Sequence, residues 1–216
     1  MRKKRVGILI SGRGSNMMSL VEAAREPDYP AEIVTVVSNR PAAPGLALAA
    51  AQALPIKAID HRAYAGRENF DSALHEALMS ARVDLVCCAG FMRLMTAGFV
   101  GKWRGRMLNI HPSLLPAFKG LDAHAQALAA GVRIAGCTVH FVEPEMDSGP
   151  IIAQAAVPVA DGDTPDTLAA RILTAEHKLY PHALRLVASG SARLEGGRVV
   201  TDRTVNQTAQ LFSPAL

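Results

Sequence analysis

Asn109 and His111 stand two apart at the end of the apolar run Met107-Leu108-Asn109-Ile110-His111, just before Pro112. In a strand, residues two apart point to the same side, so an amide and an imidazole would face one space together. The amide is a neutral hydrogen-bond donor, and the imidazole can donate, accept or carry a proton near neutral pH. Pro112 holds His111 to an extended backbone, which limits the directions its ring can take. Two polar groups at the tip of a buried strand are costly unless paired or used. They either cap the strand against nearby loops or form a site. Asp147 lies in the turn Met146-Asp147-Ser148-Gly149-Pro150. It is an ordinary turn residue unless the fold carries it to His111, where a carboxylate would favour the charged imidazole.

A second constellation is the loop Ser11-Gly12-Arg13-Gly14-Ser15-Asn16, which follows an apolar run and opens a helical one. Glycines let a backbone approach an anion, and a helix start offers free N–H groups and a positive dipole end. A dinucleotide fingerprint fits poorly. Its third small residue would fall on Met17, and no acid follows the next strand, where Ser38-Asn39-Arg40 stands instead. A single-phosphate site is the better reading, with a tight strand-to-helix turn that binds nothing as the alternative.

The flanking elements follow from hydrophobic periodicity. Arg5 to Ile10, Glu32 to Val37, Ile56 to Ile59, Leu85 to Ala89 and Met107 to Ile110 read as strands. Helices are expected over Met17 to Arg25, capped by Ser15 or Asn16, over Gly45 to Ala53, and over Glu68 to Ser80, whose stripe is Phe70, Leu74, Ala77 and Leu78. This alternation predicts an α/β fold with a doubly wound, mostly parallel sheet. In such sheets ligands bind beyond the carboxyl ends of the strands. The C-terminal half changes character. Cys137 to Val142 and Ile151 to Val159 look like longer strands that could pair antiparallel. Thr164-Pro165-Asp166 starts a helix running to about Val187, and Ala192 to Thr201 reads as a hairpin about Gly196-Gly197. A single domain over 1–203 is expected, with a phosphate half of about 1–105, a catalytic half of about 106–203, and a tail over 204–216.

Bulk properties narrow the classes. The 216 residues carry a net charge of +4 with no dense basic stripe beyond Arg2-Lys3-Lys4-Arg5, which argues against a nucleic-acid binder and suits small anionic substrates. Cys87, Cys88 and Cys137 match neither a zinc pattern nor a disulfide framework and read as reduced core residues, pointing to the cytoplasm. No apolar run approaches the roughly 20 residues a bilayer requires, and the histidines form no metal cluster. Oligomeric state is left open.

At these residues the chain resembles the folate-dependent glycinamide ribonucleotide formyltransferases. The likeness runs from about Val6 to about Val200. It rests on Ile10-Ser11-Gly12 with Gly14-Ser15-Asn16, on Ala89-Gly90-Phe91-Met92-Arg93, and on Leu108 through Pro116. Val139-His140-Phe141, Asp147 with Gly149-Pro150, and Glu176-His177 with Tyr180-Pro181 complete it. The run Asn-Ile-His-Pro-Ser-Leu-Leu-Pro marks folate formyltransferases generally, and the Gly-Ser-Asn loop favours the ribonucleotide enzymes among them. The resemblance implies a Rossmann-like formyltransferase fold and direct transfer of a formyl group from 10-formyltetrahydrofolate, a co-substrate, to the amine of glycinamide ribonucleotide, with no metal. It implies that Gly14, Ser15 and Asn16 hold the phosphate, that Glu176 binds the ribose, and that Arg67, Met92, Arg93, Leu94 and Met95, with Asn109, line the folate site. Asn109 and His111 would act at the formyl carbon, Asp147 would orient and charge His111, and His140 would support the cluster. The stretch Lys119 to Gln126 departs from the family pattern at Asp122 and Ala125, and Arg13 stands where Asn is usual; the former is expected in a mobile loop over the site. Rival readings are a formyltetrahydrofolate hydrolase or a methionyl-tRNA formyltransferase on the same core, the latter expected to carry a further C-terminal domain, and a non-catalytic folate- or nucleotide-binding module.

Overall fold

Apolar runs bounded by glycine and polar turns become the strands of one seven-stranded sheet. The structure, a computed structural model, describes residues 2–202 and 213, so the expected tail lies outside the described residues apart from residue 213. The strands are β1 (Lys4–Ile10), β2 (Ala31–Ser38), β3 (Ile56–Ala58), β4 (Leu85–Cys88), β5 (Met107–His111), β6 (Ile134–Phe141) and β7 (Ile151–Pro158). Their order is β3-β2-β1-β4-β5-β6-β7. Pairing is parallel from β3 through β5 and antiparallel for β5 with β6 and β6 with β7. The doubly wound sheet with an antiparallel extension is therefore as expected. The expected hairpin forms a separate two-stranded sheet, β8 (Ala192–Glu195) and β9 (Arg198–Thr201).

Alternation along the strands splits the core between the two faces. On one side Val6, Ile8 and Ile10 pack with α1 (Ser15–Ala24), α2 (Pro44–Ala51), α5 (Ala123–Ala129) and α6 (Pro165–Ser189). On the other side Leu9, Val86 and Cys88 pack with α3 (Arg67–Ser80) and α4 (Ala97–Lys102), and the Phe70, Leu74, Ala77 and Leu78 stripe is buried. Cys87, Cys88 and Cys137 are free and buried; burial pushes Cys87 and Cys137 up to about 12 and raises Cys88 as well, so all three stay thiols. No helix among the described residues is long and apolar enough to cross a membrane.

Three local expectations are corrected. Ser15 and Asn16 do not cap α1 but are its first two residues. The cap is Gly14, at φ 81°, with no side-chain bond to the helix. The segment expected as a loop over the site contains the short helix α5. Strand β5 also runs on through His111, one residue farther than periodicity suggested. At α6 the Thr164 signal is as read: its hydroxyl accepts from Thr167 N while Thr167 returns the bond, a capping box ahead of 25 helical residues.

Candidate active site

Strand β5 delivers Asn109 and His111 to the carboxyl end of the parallel sheet, and β6 brings His140 opposite Asn109 in register. The Asn109 Nδ2 amide lies 3.2 Å from His140 Nε2. His140 Nδ1 lies 2.8 Å from the Phe141 carbonyl oxygen and donates to it, leaving Nε2 to accept from Asn109. Burial lowers the His140 pKa against the opposing pull of that carbonyl and of Asp147. A neutral ring is what the bond from Asn109 requires, so the 3.8 Å approach of His140 Nε2 to Asp147 is no ion pair. The Asn109 amide is thereby held with one N–H on His140, and the second N–H has no partner among the described residues.

The turn between β6 and β7 carries Asp147 to His111. Asp147 Oδ2 lies 3.4 Å from His111 Nδ1, with both side chains nearly buried at 10% and 7% exposure. The same oxygen accepts from Gly120 N at 2.9 Å, and His111 Nε2 lies 2.9 Å from the Phe118 carbonyl. Both imidazole nitrogens thus face oxygen atoms. Residues 118–120 lie across the imidazole and the carboxylate.

Beyond the end of β1, the Gly14 cap leaves the first-turn N–H groups of α1 without side-chain partners. The loop is close-packed: Gly45 N donates to Gly12 O at 3.0 Å, and a Cβ on Gly45 would sit 2.9 Å from that oxygen. Asn16 reaches across to α6, where its Nδ2 donates to Glu176 Oε2 at 2.7 Å. Glu176 is 6% exposed. Burial raises its pKa, and the bond from Asn16 opposes the rise. One turn later in α6 the Tyr180 hydroxyl lies 3.0 Å from Cys88 O and 3.1 Å from Leu108 O, pinning the helix beneath the ends of β4 and β5. Gly14, Ser15, Asn16 and Glu176 therefore come together.

The remaining expected positions form a third group. Met92 and Leu94 are 61% and 56% exposed, unusual for large apolar side chains, while Arg93 and Met95 are half-buried. The Arg93 guanidinium lies 4.6 Å from the centre of the Phe70 ring, and Thr96 N donates to Asp71 Oδ2 at 2.7 Å. These contacts join the 92–96 segment to the first turns of α3, where Arg67 is the exposed opening residue.

Sequence reasoning missed Ser11 and Asn39. Both are buried polar residues at strand ends, the same signal that singled out Asn109 and His111. It also missed the backbones of Phe118 and Gly120, whose roles have no side-chain signature. A cavity of about 880 Å³ opens at the opposite, amino-terminal end of the strands, by Lys4, Asp84 and Arg106, and includes none of these residues. Polar convergence on the carboxyl side carries the chemical information.

Known proteins match the chain over most of its length. The formyl transferase family pattern matches residues 4–184. The chain is 53% identical over 199 residues to the trifunctional purine biosynthetic protein adenosine-3 of Bos taurus, covering 92% of this chain but 20% of that protein. It thus spans about a fifth of that relative's length. It is 36% identical to the phosphoribosylglycinamide formyltransferase of Haemophilus influenzae, covering 92% of this chain and 94% of that one. The solved glycinamide ribonucleotide transformylase 1 of Symbiobacterium toebii superposes with a TM-score of 0.89 at 49% identity, covering 92% of this chain and 94% of that one.

Proposed function

The chain belongs to the formyl transferase family, and from that premise we propose that it transfers the formyl group of 10-formyltetrahydrofolate to the amine of glycinamide ribonucleotide, a step of de novo purine synthesis. The observation that carries this reading is the approach of Asp147 to His111 Nδ1 at 3.4 Å, beside an Asn109 amide oriented by His140. A module that only binds has no need of that arrangement.

The amine attacks the formyl carbon, and negative charge gathers on the formyl oxygen. The unspent N–H of Asn109 and a donor N–H of His111 stabilise that charge, and Asp147 orients the imidazole. As the tetrahedral intermediate collapses, the bond to the folate nitrogen breaks. The proton lost by the amine balances the one gained by that nitrogen, so the transfer closes on its two substrates. One oxyanion donor is worth about 3–4 kcal/mol, and holding two reactants in place supplies roughly 7–11 kcal/mol. Positioning therefore outweighs any single side chain. The α1 start, through Gly14, Ser15 and Asn16, receives the phosphate. Glu176 accepts from the ribose, and Arg67 with Met92, Arg93, Leu94 and Met95 holds the folate. The Phe118 carbonyl must leave His111 Nε2 for the ring to face the formyl group, so residues 118–120 shift on binding. Three buried thiols fit a reducing cytoplasm.

The test is a transfer assay with 10-formyltetrahydrofolate and three acceptors in parallel: glycinamide ribonucleotide, water and formylatable tRNA. Formylation of the ribonucleotide far above the other two is expected, with kcat reduced by about 10²–10³ in His111→Ala. Formate release without transfer would replace this reading with hydrolysis.

A further inference from the structure

Ser11 is 3% exposed and sits where β1 gives way to the phosphate loop. Its hydroxyl carries one proton, which goes to Asn39 Oδ1 at 2.5 Å. The oxygen then accepts from Met92 N at 2.7 Å. Asn39, 1% exposed at the end of β2, meets His61 through its backbone carbonyl oxygen, which accepts from Nδ1 at 2.8 Å. The His61 ring stands edge-on to Phe70, centroids 6.5 Å apart, and Phe70 carries the Arg93 guanidinium on its face. Arg93 follows Met92 in the chain. The contacts close a ring: Ser11, Asn39, His61, Phe70, Arg93, Met92. It joins the loops after β1, β2 and β4 around the point where α3 begins.

We propose that Ser11 and Asn39 are positioning residues that couple the phosphate loop to the folate segment, so that filling one favours filling the other. The inference rests on the formyl-transfer reading for the identity of the two ligands. Ser11 precedes Gly12 and Gly14 by one and three residues, so an anion that fixes this loop also fixes the Ser11 hydroxyl. That hydroxyl holds the Met92 amide, the first residue of the folate segment. A second polar anchor of the segment, Asp71 Oδ2 accepting from Thr96 N, lies at its far end. A shift at the loop therefore reaches the near end of the segment through the Ser11 hydroxyl, beside a backbone bond from Ser11 N to Gly90 O at 3.0 Å that the side chain does not make. Coupling of this kind is reciprocal.

The experiment measures binding of glycinamide ribonucleotide and of tetrahydrofolate by calorimetry, each alone and in the presence of the other, for the whole chain and for Ser11→Ala. In the unaltered protein each ligand is expected to tighten the other at least about fivefold, the lower end for coupled sites. In Ser11→Ala that factor falls to about one, and KM rises for both substrates more than kcat falls. A purely structural serine would lower Tm and leave the factor intact, and that result overturns the proposal, as does a factor of one in the unaltered protein. Ser11→Cys keeps a weaker acceptor in place and should give an intermediate factor; if Ser11→Ala does not fold, an unchanged factor in Ser11→Cys overturns the proposal in its stead. Absence of formyl transfer to the ribonucleotide removes the reading and the inference together. Transfer with undiminished coupling in the variant removes the inference alone.

Discussion

Glu176 carries a tension between stability and binding. Burial raises its carboxyl pKa, and the Asn16 amide compensates in part. A carboxyl whose folded pKa lies above its unfolded value stabilises the fold fully below the unfolded value, near 4.5. That contribution is lost as pH rises through the folded pKa. Above that folded pKa the ligand-free protein holds a charge it would be more stable without. Glu176→Gln should raise Tm at pH 7, by about 2–4 °C per kcal/mol recovered in a chain of this size, and the gain should vanish near pH 4. The same change should weaken ribonucleotide binding, a trade between stability and function. Parallel melts at the two pH values check it, and an equal gain at both would discount the charge. At this scale Asn109 and His111 were legible because two-residue spacing in a strand already implies a shared face. Asp147 was half-legible: its turn could be read, its target could not. Ser11 and Asn39 were noted within their motifs but given no role of their own, although each is a polar residue closing an apolar strand.

The β6–β7 connection is the element on which the site depends. Asp147 sits at φ 49°, a backbone region that Asp and Asn tolerate better than most side chains. Two residues later a Cβ on Gly149 would fall 1.8 Å from the Phe141 carbonyl oxygen. The turn therefore reaches His111 only because position 149 has no side chain. Gly149→Ala should cost at least about 1–3 kcal/mol, the usual range for overpacking, and displace Asp147. A clear fall in Tm with a larger fall in kcat is expected from melting and rate measurements on one preparation. A stable variant with normal kcat would show that the turn finds another path. The long elements were legible, since β1, β2, α3 and α6 have strong periodicity or a cap-and-proline start. The short helices α4 and α5, six and seven residues, were not read. Helices this short are marginal alone and form on a surface already in place. The Gly14 cap was misread for a related reason. Ser15 and Asn16 are good capping types, but the helix starts two residues earlier than expected, at Ser15, with Gly14 packed so closely that a Cβ on it would come within 3.0 Å of the Gly45 Cα.

For the whole molecule, the strand order sets where the candidate site lies. The chain winds one way from β1 to β3 and the other way from β4 onward, so the crevice between the ends of β1 and β4 lies at the reversal where open sheets bind ligands. Such a preformed crevice should register as linkage. At 100 times its dissociation constant, glycinamide ribonucleotide alone should stabilise the fold by about 2.7 kcal/mol, or roughly 5–10 °C in Tm. Scanning melts check this, and no shift with the ribonucleotide at that excess would show that the unfolded chain binds it equally well. From the sequence alone came the kind of fold, the paired residues at the end of β5, the glycine loop before α1 and the family likeness. These are properties of stretches a few residues long, where side-chain period and turn chemistry act directly. Which strands lie side by side, and hence that Asp147 meets His111, that Asn16 meets Glu176 across 160 positions, and that one serine hydroxyl joins two loops, was decided by the tertiary structure. Those meetings follow from sheet order and helix docking, which depend on burying two apolar faces at once and leave no mark at any single position in the chain.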